Sequence, residues 1–175
     1  MQPTEPQTPT DQDKLDFAQK IFNFARTGDA EGLAPMLDHG LPPNMSNHKG
    51  DTLLILTSYH GHLDAARLLL ERGADPDRYN DMAQTALGGV AFKGNLPMAE
   101  LLLDHGASAN FAPPGGKTPL MFAAMFNRTA IADLLLSRGA DPAVRSSDGL
   151  TALELARSMG AVDTAAQLQG LAADR

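Results

Sequence analysis

Apolar residues recur at helical spacing in short segments of this chain, and each segment is followed by glycine. Residues 53–60 read LLILTSYH and precede Gly61, and residues 63–72 read LDAARLLLER and precede Gly73. Apolar residues three and four positions apart indicate an amphipathic helix, and glycine after the last turn is typical of a helix end. Thr52 stands just before the first segment, where a side-chain oxygen can cap a helix. The pattern therefore predicts two short helices joined by a tight turn.

This pair of helices is repeated along the chain at an interval of 33 residues. The interval is kept by a glycine after the second helix, a threonine before the first helix and a leucine in the second helix. The glycines are Gly40, Gly73, Gly106 and Gly139, the threonines are Thr52, Thr85, Thr118 and Thr151, and the leucines are Leu69, Leu102, Leu135 and Leu168. Such short helices are not stable alone in water, and each pair leaves an apolar side uncovered. The copies are therefore expected to stack and to bury that side against one another.

A turn, two helices and the motif T-P-L-x-x-A within 33 residues resemble the ankyrin repeat. Residues 115–142, GGKTPLMFAAMFNRTAIADLLLSRGADP, match it best, and the resemblance covers roughly residues 15–171. It implies an all-α fold, an ankyrin-repeat α-solenoid of about five helix-turn-helix units with short turns or hairpins at their tips. The predicted parts are a flexible N-terminal tail over 1–13, an N-terminal capping repeat over 14–46, repeats over 47–79, 80–112 and 113–145, and a C-terminal capping repeat over 146–175.

The chain departs from the family pattern at several positions. The histidine usual after T-P-L is replaced by Ile55, Gly88, Met121 and Glu154, so less hydrogen bonding is expected at the tips. Ala83 stands where a turn glycine is usual, and Asn127 replaces the glycine that usually follows the first helix; asparagine tolerates the left-handed conformation. The adjacent glycines Gly88 and Gly89 lie inside a predicted helix, at about 1 kcal/mol each relative to alanine. We therefore expect the third unit to be the least stable.

Composition narrows the classes of function. The chain has 175 residues, a net charge of -7 and no cysteine, which excludes disulfides, thiolate nucleophiles and cysteine-ligated zinc. Negative charge repels phosphate backbones, no face gathers basic residues, and the apolar runs are too short to cross a bilayer. The first fourteen residues do not resemble a secretory signal. We expect a cytoplasmic protein that binds neither nucleic acid nor membrane.

The segment HGHLDA is the first candidate for chemistry. It is similar to the HxHxDH zinc motif of metallo-β-lactamase-like hydrolases, with His60, His62 and Asp64 as candidate ligands, but Ala65 replaces the last histidine. In the ankyrin register, Gly61 and His62 are simply the usual residues between the two helices. A zinc-dependent hydrolase is therefore kept only as the alternative function.

The segment GGKTP, residues 115–119, is similar to the end of a phosphate-binding loop. Phe111 occupies the position of the earlier glycine that such a loop requires, and the repeat accounts for Gly116 and Thr118. No serine or threonine lies next to a plausible general base in the repeat register. We therefore predict a protein without enzymatic activity, without a metal and without a cofactor.

The resemblance to ankyrin repeats implies that the tips and the outer side of the first helix form a concave surface, and solenoid repeats bind partners with such surfaces. Aromatic and methionine side chains recur there, although the fold does not require apolar residues at these positions, and such side chains are typical of binding hot spots. The predicted partner-binding residues are Tyr59, His60, Met82, Phe92, Lys93, Met125, Phe126, Leu150 and Met159. The pattern predicts a protein–protein interaction module with a partner of unknown identity. We expect a monomer, with a homodimer through the apolar groove or packing of these side chains between repeats as alternatives.

Overall fold

A computed structural model describes residues 8–173, with side chains as far as Leu171. This part of the chain contains ten helices, and two isolated bridges, Ser46 to Thr52 and Tyr79 to Thr85, close two of the tips. The helices are α1 Asp11–Thr27, α2 Ala30–Asp38, α3 Leu53–Tyr59, α4 Leu63–Glu71, α5 Ala86–Lys93, α6 Leu96–Asp104, α7 Pro119–Met125, α8 Thr129–Ser137, α9 Ala152–Ser158 and α10 Val162–Ala173. None of them is both long enough and apolar enough to span a membrane. The predicted all-α helix-turn-helix solenoid is confirmed.

The helices form two layers. The odd-numbered helices pack side by side in chain order from α1 to α9, the even-numbered helices do the same from α2 to α10, and the two helices of each pair pack across the layers. The leucines that recur every 33 residues lie in this core: Leu69, Leu102 and Leu135 are all 0% exposed. Each unit therefore buries its apolar side against its neighbours, as stacking requires.

A threonine begins each odd-numbered helix, because its side chain accepts a hydrogen bond from an amide three residues later. Thr52, Thr85, Thr118 and Thr151 cap α3, α5, α7 and α9 in this way. Thr10 caps α1, and the Asp13 carboxylate in turn accepts from the Thr10 amide at 2.8 Å. The predicted flexible tail over residues 1–13 is therefore corrected from Asp11 onward, where the chain is helical; residues 1–7 lie outside the described residues.

The turn between the two helices of a unit uses a left-handed residue. Gly28, Gly61, Gly94 and Gly160 occupy this register with positive φ, and Asn127 adopts φ 56 in the same register, as expected. The Asn127 side chain also accepts from the amides of Asp163 and Thr164, both at 3.0 Å, at the beginning of α10. Asparagine therefore supplies both the turn and a connection to the next unit.

The tips are hydrogen-bonded even though the usual histidine is missing. Asn47 Oδ1 accepts from the amides of Lys49 and Asp51, and Asn80 Oδ1 accepts in the same way from Met82 and Gln84. Asn80 Nδ2 also donates to Asp51 Oδ1 at 2.7 Å, which joins the second tip to the third. The asparagines thus supply hydrogen bonds that the sequence led us to expect would be missing.

A ladder of side-chain acceptors joins consecutive units near the ends of the even-numbered helices. The bonds run from the Asp75 amide to Asn44 Oδ1 (2.8 Å), from the Ser108 amide to Asp77 Oδ1 (3.0 Å) and from the Asp141 amide to Asn110 Oδ1 (2.7 Å). Each rung requires one oxygen acceptor and no charge. The carboxylate at the middle rung is therefore not needed for the bond.

Asp77→Asn is expected to raise the free energy of unfolding near neutral pH. Burial raises the pKa of Asp77 above its ordinary value, the Ser108 amide opposes this, and the charge of Asp75 adds to it. A raised pKa means that ionisation disfavours the folded state, so stability is lost as the pH rises through the folded pKa. Asparagine keeps the acceptor, as Asn44 and Asn110 do. Urea unfolding at several pH values should show an advantage of the variant that shrinks below about pH 4, and an advantage that grows there would contradict the argument.

Candidate functional site

An apolar groove opens on the layer of odd-numbered helices, beside the tips of the third and fourth units. Its volume is ≈ 450 Å³. Its walls come from α3, α5 and α7 and from the tip segments 82–84 and 115–117. The aromatic and methionine side chains that line it are Tyr59, Met82, Phe92, Phe122, Met125 and Phe126.

Two glycines of α5 line the floor of this groove, which we call the Gly88–Gly89 groove. A Cβ atom at Gly89 would lie 3.5 Å from Tyr59 Cδ2, and one at Gly88 would lie 3.3 Å from Phe122 Cε2. At the equivalent positions the second unit has Ile55 and Leu56, and the fourth unit has Met121 and Phe122. The groove therefore opens where the third unit lacks two side chains that both of its neighbours have.

The walls of the groove are held by contacts between aromatic side chains. The rings of Phe92 and Phe126 meet edge to face, with their centroids 4.5 Å apart. Lys93 Nζ lies 4.6 Å from the centroid of the Tyr59 ring, within the range of a cation–π contact. Arg128 Nε donates to the Phe92 carbonyl oxygen at 3.1 Å and fixes the end of α5 against the next unit.

The structure brings together five of the nine predicted partner-binding residues in this groove: Tyr59, Met82, Phe92, Met125 and Phe126. His60 and Lys93 line a shallower hollow on the other side of Tyr59. Leu150 is half-buried and Met159 is exposed, and neither lines the groove.

The side chains that we predicted to contact a partner are partly exposed and partly half-buried. Tyr59, Met82 and Met159 are 42%, 73% and 52% exposed. Phe92, Met125 and Phe126 are half-buried: the rings of Phe92 and Phe126 pack against each other, and Met125 packs against the core. Some of the predicted contact residues thus also contribute to packing between repeats.

Sequence reasoning missed several residues of the groove. Gly88 and Gly89 were interpreted only as a cost to helix stability, and Phe122 and Gln84 were not proposed at all, yet all of them line the groove. A comparison of side-chain size at equivalent positions of the repeat would have found the gap over the two glycines. Phe122 gives no such signal, because its register also holds leucines that belong to the core.

Ala83 lies in the wall of the groove and adopts φ 56, a left-handed conformation that a side chain disfavours. Gly50 and Gly149 occupy the same register with φ 75 and φ 78. We expect Ala83→Gly to raise the free energy of unfolding by about 0.5–1 kcal/mol, the relief of strain minus the greater freedom of glycine in the unfolded chain. Urea denaturation measures this change, and a loss of stability would show that the methyl group contributes more by packing.

The fourth tip turns differently from the others. The Gly116 amide donates to the Pro113 carbonyl oxygen at 2.8 Å, and Gly115, not Gly116, has the positive φ, at 73°. A Pro-Gly pair in the middle of a turn with left-handed glycine is typical of a type II turn. Thr118 then caps α7 through the Met121 amide. The GGKTP segment is therefore used as a turn and a helix cap.

The candidate zinc ligands are not arranged around a common point. His62 Nε2 lies 2.8 Å from the Arg26 carbonyl oxygen, and because a carbonyl only accepts, this nitrogen carries the proton. The rings of His60 and His62 are stacked with their centroids 6.1 Å apart. Within residues 8–173, no group of three or more histidine, aspartate or glutamate side chains could hold a metal ion. His62 instead joins the first unit to the second.

Known proteins share this repeat. A family model described as ankyrin repeats (3 copies) matches residues 21–113 and 74–146, which together make up most of the chain. An ankyrin repeat protein of Pseudomonas aeruginosa, PA3287, is 49% identical over 63 residues. That match covers 36% of this chain and 37% of the relative, so it shows similarity of the repeats and not of the two whole proteins.

Proposed function

Because this chain belongs to the ankyrin repeat family, whose repeats generally serve in protein–protein interaction, we propose that it is a non-catalytic interaction module. In this proposal, the protein partner binds in the Gly88–Gly89 groove. Extended surfaces formed by consecutive repeats are the usual binding device of solenoid proteins.

The observation that carries the proposal is the apolar Gly88–Gly89 groove in the layer of odd-numbered helices, lined by aromatic and methionine side chains. Met82 is 73% exposed and Tyr59 is 42% exposed, and both stand at the edge of a ≈ 450 Å³ groove. Concave sites with apolar walls and few polar groups are the usual form of binding sites. Water leaves such a surface when a partner covers it, and this burial supplies binding free energy.

The groove is also prepared for binding before a partner arrives. The Phe92 and Phe126 rings are in contact, and the Phe92 carbonyl is held by Arg128. Side chains that are already ordered lose less conformational entropy on binding. This favours the groove as the main contact surface over the exposed side chains of Leu15 and Val162, which do not line it.

Partner capture with a double variant tests the proposal. Phe92→Ala with Phe126→Ala removes the two packed rings, and we expect captured partners to bind at least about thirtyfold more weakly, as for hot-spot residues. Leu15→Ala with Phe17→Ala is the matched control, because it removes exposed apolar side chains from α1. Quantitative mass spectrometry of proteins captured from native lysate gives the comparison.

Melting curves of all three proteins accompany the capture, which is performed below the lowest melting temperature. A protein lost with the groove variant and retained with wild type and control supports the proposal. The same proteins captured by all three would show that the groove is not the binding surface. Unfolding of the groove variant would assign both phenylalanines to the core, and Met82→Asp, at a residue that is 73% exposed, then repeats the comparison.

A further inference from the structure

The shape of the Gly88–Gly89 groove indicates what fills it. Gly88 is buried and Gly89 is half-buried, so the floor of the groove lies below the outer surface of this helix layer. In the adjoining units the same space holds Ile55 with Leu56, and Met121 with Phe122. The missing volume is therefore that of large apolar side chains, and its aromatic walls would surround such a side chain on several sides.

The charges at the edge of the groove further indicate which kind of partner segment binds there. Lys117 lines the groove, and Lys93 is exposed beside Tyr59. Neither lysine takes part in an ion pair within residues 8–173. This edge carries positive charge, although the whole chain has a net charge of -7. A carboxylate on the partner would meet attraction here and repulsion over most of the remaining surface.

The acidic residues of the neighbouring tips do not form ion pairs with these lysines. Asp51 accepts hydrogen bonds from the side chains of Asn47 and Asn80, at 3.1 and 2.7 Å. Asp81 lies against Gly50 of the preceding tip and does not line the groove. The Asp51 carboxylate is thus engaged in the tip structure, and the Nζ atoms of both lysines have no carboxylate partner within residues 8–173.

We propose that the Gly88–Gly89 groove binds an acidic linear segment of the partner. One large apolar side chain of that segment, leucine, methionine or phenylalanine, enters the gap over the two glycines. Aspartate or glutamate residues beside it pair with Lys93 and Lys117. This inference rests on the proposed function and specifies the partner that the groove accepts.

Filling the gap from within tests the apolar half of the inference. Gly89→Leu restores the residue type found at Leu56 and Leu155 in the same register, and its Cβ would be in ordinary contact with Tyr59. We expect the melting temperature to stay the same or rise, because leucine has a higher helix propensity than glycine. Gly170→Leu is the matched control, since Gly170 lies in α10 with open space around it.

The probe is a displayed library of random linear peptides, selected on the wild-type protein. We expect the enriched peptides to share one large apolar residue flanked by aspartate or glutamate. A synthetic peptide of that consensus should bind Gly89→Leu at least about tenfold more weakly than wild type, and Gly170→Leu equally well. Fluorescence anisotropy with the labelled peptide measures both Kd values.

Charge reversal tests the acidic half. Lys117→Glu and Lys93→Glu should each weaken the acidic peptide about threefold to tenfold, and added salt should weaken its binding to wild type. Arg67→Glu makes the same charge change on α4, in the other layer, and should have little effect. Equal effects of all three reversals would mean that only the net charge matters, and would overturn the role of the two lysines.

Three results would overturn the inference and leave the proposed function standing. They are a library that yields no linear peptide, enriched peptides without acidic residues, and peptides that bind Gly89→Leu as well as wild type. In each case the lysate comparison with Phe92→Ala and Phe126→Ala still decides whether a folded partner uses the groove. Sedimentation at several concentrations tests whether a second copy of this chain occupies the groove. A dimer that Gly89→Leu abolishes would make that second copy the ligand.

Discussion

Gly28→Ala is expected to lower the free energy of unfolding by about 3 kcal/mol, because two separate effects add. Gly28 has φ 75, a conformation that costs a residue with a side chain about 1–2 kcal/mol. Its new Cβ atom would also overlap Cγ of the His62 ring. The ring must then move, and its bond to the Arg26 carbonyl oxygen, worth about 1 kcal/mol or more, is lost.

Gly160→Ala separates the two effects. Gly160 occupies the same register of the repeat with φ 69, and a Cβ atom there would meet nothing within 4 Å. This control should show only the cost of the backbone conformation. Urea denaturation of both variants gives the difference, and equal losses would show that contact with His62 contributes nothing.

A double variant provides a second check on the same contact. If the ring of His62 is the obstacle, Gly28→Ala should cost less in a protein that already carries His62→Ala. The two changes would then be non-additive, as expected for residues in direct contact. Additive losses would contradict this interpretation.

Leu102→Ala is expected to lower the free energy of unfolding by about 2–5 kcal/mol, in the range for a leucine removed from a closed core. Leu102 is 0% exposed on α6, which packs between α4 and α8. The third unit also contains the adjacent glycines Gly88 and Gly89 inside α5. If the third unit unfolds, the units before it lose contact with the units after it. We therefore expect the whole stack to lose stability.

Leu168→Ala is the matched variant at the end of the stack. Leu168 occupies the same register on α10 and is 3% exposed, but within residues 8–173 its unit packs against the fourth unit alone. We expect α9 and α10 to unfold in a separate, earlier step, since the stability of a solenoid is the sum of units and their interfaces. Circular dichroism gives the number of transitions and hydrogen exchange locates them. A single unfolding transition with an equal loss of stability in both variants would contradict this expectation.

The helices could be predicted from the sequence because each unit repeats the same local signals. Thr52, Thr85, Thr118 and Thr151 cap helices where the periodicity placed them, and Asn127 turns the chain where glycine is usual. The beginning of α1 was missed for a local reason: the capping pair Thr10 and Asp13 lies in a polar segment that has the composition of a tail. Composition alone does not show which polar residues bond to one another.

The candidate site could be predicted only in part. The repeat register placed Tyr59, Phe92 and Met125 on neighbouring helices, since equivalent positions become neighbours in a stack. The groove itself depends on what is missing between them, and Gly88 and Gly89 were judged by helix propensity alone. Whether the Phe92 ring points outward or packs on Phe126 depends on side-chain rotamers, which a linear pattern does not specify.

The bonds at the two edges of the stack also bear on the shape of the binding surface. His62 and Arg128 reach back to carbonyl oxygens of the preceding unit, while Asn44, Asp77 and Asn110 accept amides of the following one. The first and second units, and the third and fourth units, are thus joined at both ends of their helix pairs, which opposes sliding and tilting of one helix pair against the next. The spacing of α5 and α7, which form two walls of the groove, is consequently governed in part by Arg128 and Asn110, residues that do not line the groove.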